Sequence, residues 1–225
     1  MQVLNSIEHI NEKDGMRMDM NQDNNQVRLC GTMAGAPRWS HSAGGQEFYV
    51  FPLEVQRLSG SFDTLNIVLR QNQLAAIEVE EQARLLVVGE LRSFNNRRGE
   101  GARLVLTVLA RELTLTDEPD DNRVSLTGTL CKAPNPRVTP LGRDICDLLL
   151  AVNRRGTRSD YLPCICWGSR AREAAGWTVG TVVHLEGRFQ SRAYIKLCED
   201  GLERRVAYEV SAAEAEALSC PQACV

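Results

Sequence analysis

Two stretches, NQVRLCGTMAGAP at residues 25–37 and NRVSLTGTLCKAP at residues 122–134, decide how this chain is organised. Superposed, they share Asn, Val, Leu, Gly, Thr, Ala and Pro in the same places, 97 residues apart (122 − 25). A shared period of this size is the mark of a duplicated unit. The same offset brings Gly45 onto Gly142, Leu53 onto Leu150, Val55 onto Val152, Arg57 onto Arg154 and Asp63 onto Asp160. A slip of one residue then brings Gly89 onto Gly187 and Ser93 onto Ser191. Two copies of one domain follow, at 25–116 and 122–213. They are joined by an acidic linker, DEPDD at 117–121, whose proline breaks regular structure. A polar extension (1–24) precedes them and a tail (214–225) follows.

Each copy reads as strands with one short helix. In the second copy NRVSLTGTL alternates apolar and polar residues, the period of a half-buried strand. DICDLLLAVNR and DYLPCICWG are the second and third strands, and SRAREAAGW (169–177) has the composition of a short helix. TVVHLEGRFQSRAYIK and RRVAYEVSAA close the set. The first copy repeats the order through QVRLCGT, FYVFPLEVQ, TLNIVLR, the helix QNQLAAIEV, ARLLVVGELRSF and ARLVLTVLAREL. The order is that of an all-β class and is compatible with two tandem five-stranded OB-fold barrels, each with one short helix between strands three and four; order alone leaves another small barrel open.

Composition bounds the function. The 225 residues are 43% hydrophobic and 24% charged, as in ordinary globular domains. No apolar run approaches the roughly 18 residues of a membrane helix. The N-terminal residues lack the basic start and apolar stretch of a secretion signal, so a cytoplasmic protein is expected. Eight cysteines include no CxxC pair, and His9, His41 and His184 are scattered. The cysteines therefore read as free, mostly buried thiols, with Cys220 and Cys224 left open, and no metal or cofactor is expected. With no nucleophile–base pair in view, no reaction is implied. The net charge of −3 is segregated: +1 on 25–116, −4 on the linker and +5 on 122–213. An anionic ligand is thus compatible with the second copy.

Strand parity points to a face. On the third strand of copy two, Tyr161, Ile165 and Trp167 share one side, and Leu162, Cys164 and Cys166 share the other. On the fourth, Arg188, Arg192, Tyr194 and Lys196 oppose Val183, Leu185 and Phe189. Aromatics interleaved with cations suit single-stranded nucleic acid, whose bases stack on rings while arginines follow phosphates. Packing beneath loops or at a subunit contact would use the same aromatics.

Residues 122–213 resemble the bacterial single-stranded DNA-binding protein family (SSB). NRVSLTGTLCKAPNPRVTPLGRD, LAVNR, SDYLPCICWGSRAREAA, VHLEGRFQSRAY and DGLERRVAYEV follow in the family's order. The resemblance implies two base-stacking aromatics at Tyr161 and Trp167 and a third at Tyr194. It implies sequence-tolerant binding and protection of single-stranded DNA in replication, repair, recombination or transfer. It also implies a homodimer, because relatives assemble four OB folds. The loop RRGTRS offers Arg154, Arg155 and Arg158 where the family often has a further aromatic. The family's acidic, phenylalanine-ending tip has no counterpart in ALSCPQACV, so recruitment of partners through such a tip is not expected.

In copy one, Thr64, Arg70 and Asn96 stand where copy two has Tyr161, Trp167 and Tyr194. Arg70, Arg92, Phe94, Arg97 and Arg98 are its secondary candidates, while Trp39, Phe48, Tyr49 and Phe51 read as core or interface. Two other functions stay open: an assembly or adaptor module with vestigial DNA contact, and single-stranded RNA binding.

Overall fold

A computed structural model describes residues 24–76, 82–96, 104–154, 156–198 and 201–219, with the backbone alone at 196–198 and 219. The N-terminal extension and the last six residues, with Cys220 and Cys224, lie outside the described residues. The first barrel contains β1 (Asn25–Met33), β2 (Arg38–Ala43), β3 (Gln46–Gln56), β4 (Phe62–Arg70), α1 (Gln71–Ala75), β5 (Arg84–Asn95) and β6 (Leu104–Leu115). The second contains β7 (Asp121–Leu130), β8 (Asn135–Val138), β9 (Asp144–Asn153), β10 (Ser159–Trp167), α2 (Ser169–Ala174), β11 (Val182–Cys198) and β12 (Gly201–Ser219).

Each barrel closes by the same rule. In the first, β1 pairs with β3, β3 with β4, β4 with β6 in parallel, β6 with β5 and β5 with β1. In the second, β7, β9, β10, β12 and β11 repeat that ring, with β10 and β12 parallel. Both are OB folds with a short helix after the third barrel strand. The extra strands β2 and β8 are hairpin additions to the second strand of each barrel. They were missed in the sequence because their residues are mostly exposed and carry no inward alternation.

The repeated glycines are sites of close approach. A Cβ on Gly89 would lie 2.2 Å from the carbonyl oxygen of Leu109, and one on Gly187 2.2 Å from that of Ser211. Both glycines sit at bulges where β5 and β11 bend away from their barrels.

The barrels join edge to edge. β1 pairs antiparallel with β7, and the register sets Val27 opposite Val124, its own repeat equivalent (27 + 97). A local twofold axis therefore passes between these two valines. The same register sets Arg28 opposite Arg123, a like-charge pair that is unfavourable by itself. The linker resolves it: Asp121 pairs with both arginines, and Glu118 adds to Arg28. Glu118 and then Asp121 hold the Arg28 guanidinium above its ordinary pKa. Asp120 pairs with Arg84 at 2.7 Å. DEPDD is thus packed on the first barrel as the counter-charge of the seam.

Beyond the seam the contacts are reciprocal. Asp63, 1% exposed, accepts from Arg57 of its own barrel (2.8 Å) and from the backbone N of Ser191 in the other (2.6 Å). Asp160, fully buried, accepts from Arg154 of its own barrel (2.7 Å) and from the backbone N of Ser93 (2.5 Å). Arg57 also donates to the carbonyl of Ser191 (2.7 Å), and Arg154 to that of Ser93 (3.1 Å). Backbone N–H groups of Thr64 and Tyr161 donate to the hydroxyls of Ser191 (3.2 Å) and Ser93 (2.7 Å). The arginine, aspartate and serine of each half of this clamp are matched in the sequence repeat.

Among the described residues, Cys30, Cys146, Cys164 and Cys166 are buried and Cys131 is partly buried, all as free thiols. Burial raises the Cys164 thiol and pushes Cys166 up to about 12, so both stay protonated and unreactive at neutral pH.

Removing one partner of a buried charge pair typically costs about 3–5 kcal/mol. Asp160→Asn is therefore expected to lower the urea midpoint by a correspondingly large amount. An unchanged midpoint would show that the clamp carries no stability.

Candidate nucleic-acid interface

β10 positions the first two aromatics. Asp160, Leu162, Cys164 and Cys166 point inward with at most 2% exposure, which turns Tyr161 (48% exposed) and Trp167 (40%) to the outside. Ile165 shares their parity yet is covered at 3%, so the outward face expected of all three is interrupted between the rings. The Trp167 indole N–H donates to Ser211 Oγ at 3.1 Å, which fixes the ring by its edge. A ring held this way keeps its orientation without using its π-face.

The third aromatic stands on an arm. β7 pairs with β11 only as far as Gly187; beyond it, β11 pairs with β12 alone out to Cys198. On this two-stranded ribbon the Arg192 guanidinium lies 5.9 Å from the Tyr194 ring centroid, within cation–π range. Arg192 Nε also lies 4.0 Å from Glu209, whose carboxyl is shifted up by burial, with Arg192 the main opposing influence.

The structure separates the predicted cations. Arg154 is tied to Asp160 and Ser93, and Arg92 to Glu90 and Asp160. Burial lowers the Arg92 pKa, with Asp160 opposing it. Both arginines hold the barrels together. Arg188 is exposed but lines the groove over the β1–β7 seam, together with Arg28 and Arg123. Arg158 is exposed on the β9–β10 hairpin and Arg192 on the arm. Arg155, Arg97 and Arg98 lie outside the described residues, as does the side chain of Lys196.

Two findings concern the first barrel. Phe94, 52% exposed, follows Ser93, whose hydroxyl accepts from Tyr161 N, so the clamp brings this part of β5 to the second barrel's aromatic strand. Of the aromatics expected in the core or at an interface, Phe51 is buried and Tyr49 packs against the core. Trp39, however, is 58% exposed, and Phe48 is only partly buried. Arg70 holds the end of β4, with Nε 3.2 Å from Gln46 Oε1.

Residues 121–218 match the Single-strand binding protein family. The second barrel is similar to that family. Single-stranded DNA-binding protein 2 of Listeria innocua is 37% identical over 38% of this chain and 55% of its own length. Single-stranded DNA-binding protein A of Bacillus subtilis is 36% identical over 32% of this chain and 46% of its own. The chain thus spans about half the length of the curated relatives it matches. The single-stranded DNA binding protein from Thermus aquaticus superposes on both barrels, covering 89% of this chain and 96% of that one, with TM-score 0.71 and 23% identity. That likeness establishes the fold across both barrels, whereas the family match covers the second.

Arg154 and Arg158 flank one turn but have different surroundings. Arg154→Ala is expected to lower the unfolding midpoint, and Arg158→Ala to leave it within the roughly 0.5 kcal/mol scatter of surface changes. Equal midpoints in chemical denaturation would contradict this division.

Proposed function

We propose that this chain binds single-stranded DNA with little sequence preference and protects exposed strands during replication, repair, recombination or transfer. The observation that carries the reading is the set of rings on the second barrel: Tyr161 and Trp167 outward on one strand, and Tyr194 with Arg192 on the adjoining arm. Each ring offers a π-face that any base can use, worth about 1–3 kcal/mol per stacked base. Arg192 and Arg158 supply exposed positive charge for phosphates, and Lys196 extends the same strand parity. The chemistry asked of the protein is reversible binding, in line with a family of DNA-binding proteins that are not enzymes.

The working assembly under this reading is a homodimer presenting four barrels, as the family resemblance implies. The second barrel contributes most of the base stacking, and Phe94 extends its path from the neighbouring arm. Arg188 faces the seam groove and has a lesser part, if the strand follows the aromatics.

Titration with oligo-dT at low salt tests the reading. Trp167 fluorescence should fall on binding, and affinity should weaken with salt at a slope of about −0.7 per phosphate contacted. Trp167→Ala and Tyr194→Ala should each weaken binding by about 1–3 kcal/mol without altering the oligomer mass in sedimentation. Absence of binding at low salt would overturn the reading in favour of a protein-assembly role. Tighter binding of oligo-rU than of oligo-dT would reassign the ligand to RNA.

A further inference from the structure

The first barrel carries Arg70 where the second carries Trp167, and the strand beside Arg70 differs as well. Residues directly opposite in an antiparallel pair project from the same face. Trp167 lies opposite Ile145, and Arg70 lies opposite Phe48, the repeat equivalent of Ile145 (48 + 97). Phe48 in turn lies opposite His41 on β2, and their rings stack with centroids 4.8 Å apart and planes 3° apart. The inward side of β3 is taken by Phe51, Leu53 and Val55, each at most 1% exposed, so Phe48 has the outward parity. His41 is exposed and Phe48 half-buried. Arg38, exposed, pairs with Val50, which shares the parity of Phe48. Two arginines therefore flank a stacked ring pair on one outward face. Relative to the second barrel, the aromatic has moved one strand across and a cation has taken its former place.

We infer that His41 and Phe48, with Arg70 and Arg38, form a second stacking site on the first barrel for a nucleotide of the same single strand. The base lies against the ring pair and the arginines take the adjacent phosphates. The inference rests on the single-strand reading above and enlarges it, because the barrel that carries Thr64 and Arg70 in place of Tyr161 and Trp167 becomes a binding barrel. A nucleic-acid ligand fits better than a protein one. The patch is a single ring pair between cations, whereas a protein-docking surface presents a wider contiguous apolar area.

Photocrosslinking of the full chain tests the site. An oligo-dT long enough to cross both barrels, carrying 5-iodouracil at successive positions, is irradiated and the adducts are mapped by mass spectrometry. Adducts are expected on the peptide containing His41 and Phe48 as well as on the one containing Trp167. The double variant His41→Ala, Phe48→Ala should bind the long oligonucleotide about 5-fold or more weakly. Phe48→Trp should retain the affinity, which guards against a fold defect in the double variant. Adducts on the Trp167 peptide alone, with unchanged affinity of the double variant, would overturn this site while leaving DNA binding by the second barrel intact. No adduct on either peptide and no retained oligonucleotide would overturn both. A double variant that loses its oligomer mass at unchanged DNA affinity would overturn the site and make the ring pair a protein contact.

Discussion

Two buried carboxylates, Asp63 and Asp160, constrain the rest of this molecule. An ionised carboxylate taken out of water is tolerated only when paired and hydrogen-bonded on several sides. Neither barrel can satisfy its own aspartate: each supplies an arginine, and the other barrel supplies a serine N–H. The barrels are therefore locked in one relative orientation, and each arm leaves its own barrel to cross the third strand of the other. That crossing places Ser93 beside Tyr161 and Asn66 beside Tyr208, whose hydroxyl lies 3.4 Å from the Asn66 amide. The proposed binding face is consequently a property of the pair of barrels.

Charge is used twice, with opposite effects on function. At the seam, Arg28 and Arg123 would repel each other, and the linker carboxylates turn that repulsion into attraction. At the clamp, Arg57, Arg92 and Arg154 are bound to buried acids. A surplus of +5 over residues 122–213 therefore overstates what a phosphate backbone would meet. The aromatics are better guides, because a ring left exposed at 40–48% on a closed barrel has forgone burial worth about 2 kcal/mol or more.

Much of this was legible in the order of the residues. Alternation along NRVSLTGTL and DYLPCICWG sorted inward from outward side chains because a strand has a period of two and a barrel has one dry side. Tyr161 and Trp167 were found that way and are exposed as expected. The same alternation failed at Ile165, which shares their parity but is covered. Trp39 lies on the β2 hairpin addition, which has no inside, so hydrophobicity there did not imply burial. Arg154 was read as a phosphate contact because an arginine in a loop carries no local mark of the acid it faces.

The sequence by itself determined the duplication, the two barrels and the aromatic strand, because each depends on local periodicity or on a match along the chain. It even contained the clamp: Arg57 with Arg154, Asp63 with Asp160 and Ser93 with Ser191 all appear in the repeat. Only the tertiary structure decided that these matched residues meet across a twofold axis, which arginines they withdraw from the ligand, and that a ring on β3 stands beside Arg70. The contacts across the axis join residues 67 and 128 positions apart in the chain. Pairing at that range is set by the burial of charge and the register of the strand seam, neither of which leaves a local trace.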